Sequence, residues 1–103
     1  MKLLWTRRAR NDLLEIATYI ARDKVEAALN WVDKLQERAE KLVNAPRAAR
    51  IVPELERDDI REAIVGNYRI VYRIEPDRLV VLTVFEGHRL LKNAIGQLDD
   101  DVE

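Results

Sequence analysis

The sequence predicts an α+β domain ordered β-α-α-β-β-β, an antiparallel sheet with an N-terminal helical hairpin packed on one face. Three observations predict it: apolar residues step by three and four between residues 7 and 42, the periodicity changes after Pro46, and Gly66-Asn67 separates two strand-like runs. A helical stripe and a half-apolar sheet each need a surface to bury against, so one packs on the other.

The elements follow in order. Residues 2–5 (KLLW) form a short strand candidate, and Thr6 is placed to cap the helix after it. From Arg7 to Arg22, Ala9, Leu13, Ile16, Ala17 and Ile20 share one helical stripe. Asp23 with Glu26 three residues on has the spacing of a capping box, so a second helix is expected to begin at once. Its stripe is Ala28, Trp31, Val32, Leu35, Ala39 and Leu42, and Asn44 with Pro46 stops it. Residues 47–59 hold Ile51, Val52 and Leu55 as their apolar anchors, which suits a short extended piece and a polar loop. Residues 60–65 and 68–74 are strands joined by a turn that accepts positive φ at Gly66. A turn at Glu75-Pro76-Asp77-Arg78 leads into LVVLTVF, 79–85, which is apolar on both faces and therefore a central strand.

Composition narrows the functional classes. At 103 residues the chain is one domain, read as residues 1–97 with an acidic tail at 98–103. No apolar run approaches the roughly 20 residues of a membrane span, the first residues lack a secretory apolar segment, and there is no cysteine, all of which fits a cytoplasmic protein. The formal net charge is -1. Four of the 19 acidic residues (Asp99, Asp100, Asp101 and Glu103) lie in the tail, so the first 97 residues carry +3. A nonspecific nucleic-acid binder is usually far more basic. Of the 18 basic residues 13 are arginine, which favours planar recognition of phosphate or carboxylate over diffuse attraction.

The arginines raise the functional question. In 68–74, Tyr68, Ile70, Tyr72 and Ile74 share one face and Arg69, Val71 and Arg73 the other. The aromatic face should meet the helices, leaving Arg69 and Arg73 about 13 Å apart on an uncovered face where they line a groove. Arg61, His88 and Arg89 sit on strands or strand ends that can join them. The plainer alternative is that each is a surface arginine paired with Glu62 or Glu86.

Four segments together resemble the RelE/ParE superfamily, the toxins of bacterial type II toxin-antitoxin modules. They are A-x-x-DLLEIATYIA, AALNWVDKLQERAEKLVNAP, VPELERDDIREAIVGNYRIVYRI and VVLTVFEGHR, within residues 5–91. Their order and spacing carry the likeness, with Y-R-x-x-Y after the turn and a basic cluster ending the last strand. The resemblance implies the same layered fold, no cofactor and no metal.

The superfamily divides by target. Its ribonuclease branch cuts messenger RNA on the ribosome without a metal, through attack of a ribose 2'-hydroxyl on the neighbouring phosphate. Under that reading Arg69, His88 and Arg89 would be catalytic, with His88 as acid or base and the arginines holding phosphorane charge. Glu54 and Arg61 are weaker members of the set. Against this, the chain has no lysine between Lys41 and Lys92, and Tyr72 is its last tyrosine, where such nucleases often carry both groups near the site. The branch resembling ParE poisons DNA gyrase and has no accepted hydrolytic triad, and the depleted nuclease cluster places this chain nearer to it. An inactive, partner-binding relative is the third reading.

The resemblance also implies partners: a cognate antitoxin that lays a helix or strand over the toxin in a hetero-oligomer, and DNA gyrase or, alternatively, the ribosome with its messenger RNA. Arg73 and Trp31 are candidate partner contacts, although Trp31 and Trp5 equally suit the seam between helices and sheet. No membrane partner is expected.

Overall fold

Thr6 begins the first helix as its residue type predicts. Its hydroxyl accepts from the Ala9 amide at 3.0 Å and donates to the Leu82 carbonyl at 3.0 Å, so one side chain caps a helix and ties it to the sheet. The structure, a computed structural model, describes residues 1–87. Its elements are β1 (Lys2–Trp5), α1 (Arg7–Ala21), α2 (Val25–Leu42), β2 (Arg50–Ile51), β3 (Ile60–Val65), β4 (Tyr68–Ile74) and β5 (Arg78–Glu86).

The junction between the helices differs from the capping box expected at Asp23. Asp23 and Lys24 both donate their amides to the Ile20 carbonyl, so Asp23 is used in ending α1. The N-cap of α2 is Lys24, with no side-chain cap. Glu26 still lies in the first turn of α2, where a negative charge meets the positive end of the helix dipole.

The α+β class and the element order agree with the sequence. Among the described residues the sheet has five strands in the order β1-β5-β4-β3-β2. All neighbours are antiparallel except β1, which lies parallel to β5 with Lys2 opposite Arg78 and Trp5 opposite Val81, so the sheet is mixed. That pairing places β5 between two strands, and Leu79–Phe85 are all buried.

Gly66 has φ +58, the left-handed conformation that a tight hairpin turn requires. It also lies under Trp31, because a Cβ at this position would come 2.5 Å from Trp31 Cη2. Trp31 meets Tyr68 edge-on, with ring centroids 5.2 Å apart. Trp31 therefore joins α2 to the β3-β4 turn.

Among the described residues, two apolar clusters flank the sheet. The helix-side cluster contains Leu13, Leu35, Leu42, Ile70, Tyr72 and Val81. The second contains Val52, Ile60, Val71, Val80, Leu82 and Phe85, with Leu55 packed against it. The far face is consequently covered near its centre by the segment after β2, and the expected open face is corrected on this point. The strand parity itself is as read: Ile70 and Tyr72 face the helices and Val71 faces away.

β5 carries an irregularity where it passes between the clusters. Val71 opposes Thr83 while Tyr72 opposes Val81, which leaves Leu82 as an extra residue. Beside it, Asp12 of α1 accepts from Thr83 Oγ1 at 2.6 Å and from the Val84 amide at 3.0 Å. The carboxylate supplies a partner to a backbone amide that the helix layer would otherwise shield from water. Burial raises the Asp12 carboxyl above its ordinary value, against the opposing pull of those two bonds and of Arg8.

Candidate functional site

Residues directly opposite across antiparallel strands point to the same face. Ile64 opposes Arg69, Glu62 opposes Val71 and Arg50, and Arg69 opposes Phe85. Arg50, Glu62, Arg69 and Phe85 therefore converge on the far face. The result, in place of the expected groove, is a charge cluster built on the buried Glu62–Arg69 pair, with Arg50 exposed at its edge.

Arg69 is 6% exposed and Glu62 1%. Arg69 Nε donates to Glu62 Oε1 at 2.8 Å, and its Nη2 donates to the same oxygen. Arg50 Nε donates to the other oxygen, Glu62 Oε2. Nη1 and Nη2 of Arg69 reach Glu54 at 3.3 to 3.4 Å. The guanidinium also lies over Phe85, its carbon 5.1 Å from the ring centroid. A buried carboxylate needs such partners, since an unpaired charge there would cost several kcal/mol. Glu62 and Glu54 raise Arg69 above its ordinary value despite desolvation, so it remains a cation. At Glu54 desolvation pulls upward, but the Arg69 hydrogen bond and charge outweigh it and hold the carboxyl below its usual value.

The other candidates separate. Arg61 opposes Tyr72 and so lies on the helix side, with the sheet between it and Arg69. Its guanidinium is committed to the loop: Nη1 donates to the carbonyls of Arg47 and Ala49 at 3.1 Å each, and Nη2 donates to Asp58 at 2.7 Å. Its place in a common groove with Arg69 and Arg73 is corrected. Arg73 does share the Arg69 face, where it donates to Glu75 at 2.7 Å. Trp31 is half-buried in its contacts with Gly66 and Tyr68, and Lys34 Nζ lies 4.8 Å from its ring centroid. His88, Arg89 and the acidic tail lie outside the described residues.

A second feature lies between the two helices. An apolar groove of about 400 Å³ is lined by Trp5, Leu13, Leu14, Ala17, Leu29 and Val32. Leu14 is 65% exposed and Leu29 is also largely exposed. Among the described residues no helix is long and apolar enough to cross a membrane.

The profile of the ParE toxin of type II toxin-antitoxin system, parDE, matches residues 3–91 of this sequence. The chain belongs to the ParE toxin family. No curated protein sequence matches it significantly. Among solved structures it is similar to the chromosomal ParDE toxin-antitoxin system of P. aeruginosa, with 24% identity, a TM-score of 0.70 and coverage of 84% of this chain and 95% of that one. It is also similar to the RelBE2 toxin-antitoxin complex of Mycobacterium tuberculosis, with 24% identity, a TM-score of 0.58 and coverage of 82% and 95%. Both likenesses are likenesses of fold.

Within this ParE-family chain, sequence reasoning missed Arg50 and the role of Glu62 as the buried centre of the charge cluster. A signal was present, since Glu62 has the same parity as Ile60, whose side must be apolar if that face is covered. The groove lies on apolar surface that the sequence leaves on the helical hairpin, a candidate docking surface for the antitoxin together with an exposed edge of the sheet. Leu14 and Leu29 each stand next to a stripe residue and outside the stripe itself, leaving apolar surface that the hairpin does not bury.

Proposed function

We propose that this ParE-family chain is the toxin of a type II toxin-antitoxin pair, that it inhibits growth by binding DNA gyrase rather than by cutting RNA, and that a cognate antitoxin neutralises it. The observation that carries the binding reading is the state of Arg69. A guanidinium that stabilises a phosphorane must meet the phosphate as charge develops, whereas Arg69 is buried between two carboxylates. Glu54 makes a weak general base for the same reason, because its proton affinity is lowered and its oxygens face a cation. Arg61 is spent on backbone carbonyls across the sheet.

The antitoxin is supported by the company the fold keeps, since both similar structures are toxin-antitoxin assemblies. The groove between α1 and α2 offers the apolar surface that an amphipathic segment would bury.

Purified chain is expected to inhibit supercoiling by gyrase and to leave ribosome-bound message intact. Cleaved message with normal supercoiling would overturn the reading and favour the endonuclease. In that event Arg69→Ala should lower the cleavage rate by about 100-fold or more, the scale of losing one transition-state charge partner. Normal growth on expression without any antitoxin would instead indicate an inert, partner-binding relative.

A further inference from the structure

The helical hairpin leaves large apolar side chains in water. Leu14 of α1 is 65% exposed, and Val25 and Leu29 of α2 are 62% exposed each. Leu14 and Leu29 stand on opposite walls of the groove between the helices, and Val25 lies one turn before Leu29 on the same row. Apolar surface gathered in this way marks a contact with another macromolecule.

The charges beside the groove are divided between its walls. α1 and α2 pack together across a short connection, so they run antiparallel and residues equally far from Asp23 stand level with one another. Arg10 and Gln36 are each 13 residues from Asp23, Leu14 and Val32 nine, Ala17 and Leu29 six, and all of them line the groove. Arg7 lies one turn from Arg10 on α1, and Glu40 one turn from Gln36 on α2, all four exposed. At this end of the hairpin the α1 wall is therefore basic and the α2 wall acidic.

A surface with that division is complementary to itself. When two such hairpins meet about a two-fold axis parallel to the helices, α1 of each copy lies on α2 of the other at the same level. Arg10 then faces Gln36 and Glu40 of the partner subunit. Helical side chains lean toward the N-terminus of their own helix, which on these opposed helices tilts the arginine and the glutamate toward each other. Leu14 and Leu29 of both copies close the centre. A two-fold axis across the helices would instead set Asp33 beside its own copy and Glu26 beside Glu40 of the partner subunit, contacts that like charges oppose.

We propose that the free chain pairs with a second copy of itself through the α1–α2 face, with α1 of each copy laid on α2 of the other. Two helices about 10 Å wide and at least about 22 Å long offer roughly 450 Å² per copy in projection. The total of about 900 Å² belongs to weak, reversible interfaces, so micromolar rather than nanomolar association is expected. The pairing is a property of the free chain, since an antitoxin segment bound in the same groove would displace the partner copy, and it does not depend on which target the toxin has.

Sedimentation equilibrium of the purified chain, from about 1 μM to about 1 mM, tests it. The mass should rise from 12.0 kDa toward twice that value. Arg10→Glu and Glu40→Arg should each weaken pairing about 10-fold, because two exposed ion pairs become two like-charge contacts. Mixing the two variants should restore it, since every contact between positions 10 and 40 in the mixed pair again joins opposite charges. A misfolded variant cannot produce that rescue. A chain that stays at 12.0 kDa throughout would overturn the proposal and leave the groove to a segment of another protein. A dimer that both single variants leave unchanged would also overturn it, by placing the interface elsewhere, as would a mixture that pairs no more tightly than the variants alone.

Discussion

Glu62 shows how far one residue can set the character of a site. It is the carboxylate that two arginines share, and its side chain has no exposure. Removing one partner of a buried pair costs about 3–5 kcal/mol because the remaining charge is left without compensation. Glu62→Ala is therefore expected to lower stability by an amount near the lower end of that range, since Glu54 still faces Arg69. Urea denaturation at neutral pH measures it, and a loss below about 1 kcal/mol, the scale of an exposed pair, would show that the cluster is solvated. The sequence revealed which face Arg69 occupies, because strand parity is local, and it offered Glu62 as a partner. The burial of Arg69 was not legible, because it depends on a segment that folds back across the sheet from residues 52–59.

Among the elements, what could be read and what could not divide along the same line. The two helices, the Gly66-Asn67 turn and the central place of 79–85 follow from periodicity and turn chemistry within a few residues. The parallel partner of β1, the extra residue at Leu82 and the start of α2 at Lys24 are settled by contacts between distant segments or by competition for one carbonyl. Thr6 belongs to both groups, since its capping role was legible and its bond to Leu82 was not. Thr6→Ala should cost about 1–2 kcal/mol for the cap, and somewhat more because the Leu82 carbonyl loses a buried donor. Thr6→Ser keeps the hydroxyl and should recover most of the loss. Thermal unfolding of the pair checks this, and equal losses in both variants would assign the effect to the methyl group.

For the whole molecule, acid stability includes contributions of opposite sign, of which Glu75 and Asp12 are examples. Arg78 and Arg73 hold the Glu75 carboxyl below its ordinary value, so its contribution is present above pH 4.5 and is lost as the pH falls through the lowered folded value. Burial raises Asp12, so its contribution is full below its ordinary value of 3.8 and is lost as the pH rises through the raised folded value. Asp12→Asn keeps an oxygen to accept from Thr83 and Val84 without carrying charge. Its stability relative to wild type is expected to improve as the pH rises from 3.5 to 7, measured by urea denaturation across that range. A difference that stays constant with pH would mean that Asp12 is not held in a raised state.

The placement of β1 also governs when the fold can form. Its sheet neighbour is β5, and the bond from Thr6 to Leu82 spans 76 positions along the chain. On a translating ribosome β1 waits for its partner until β5 has been made, and contacts of such long sequence separation form late. Chains whose synthesis stops before β5 would emerge with β1 unpaired, so a cell making this protein would meet the joined β1–β5 surface only after β5 had been translated.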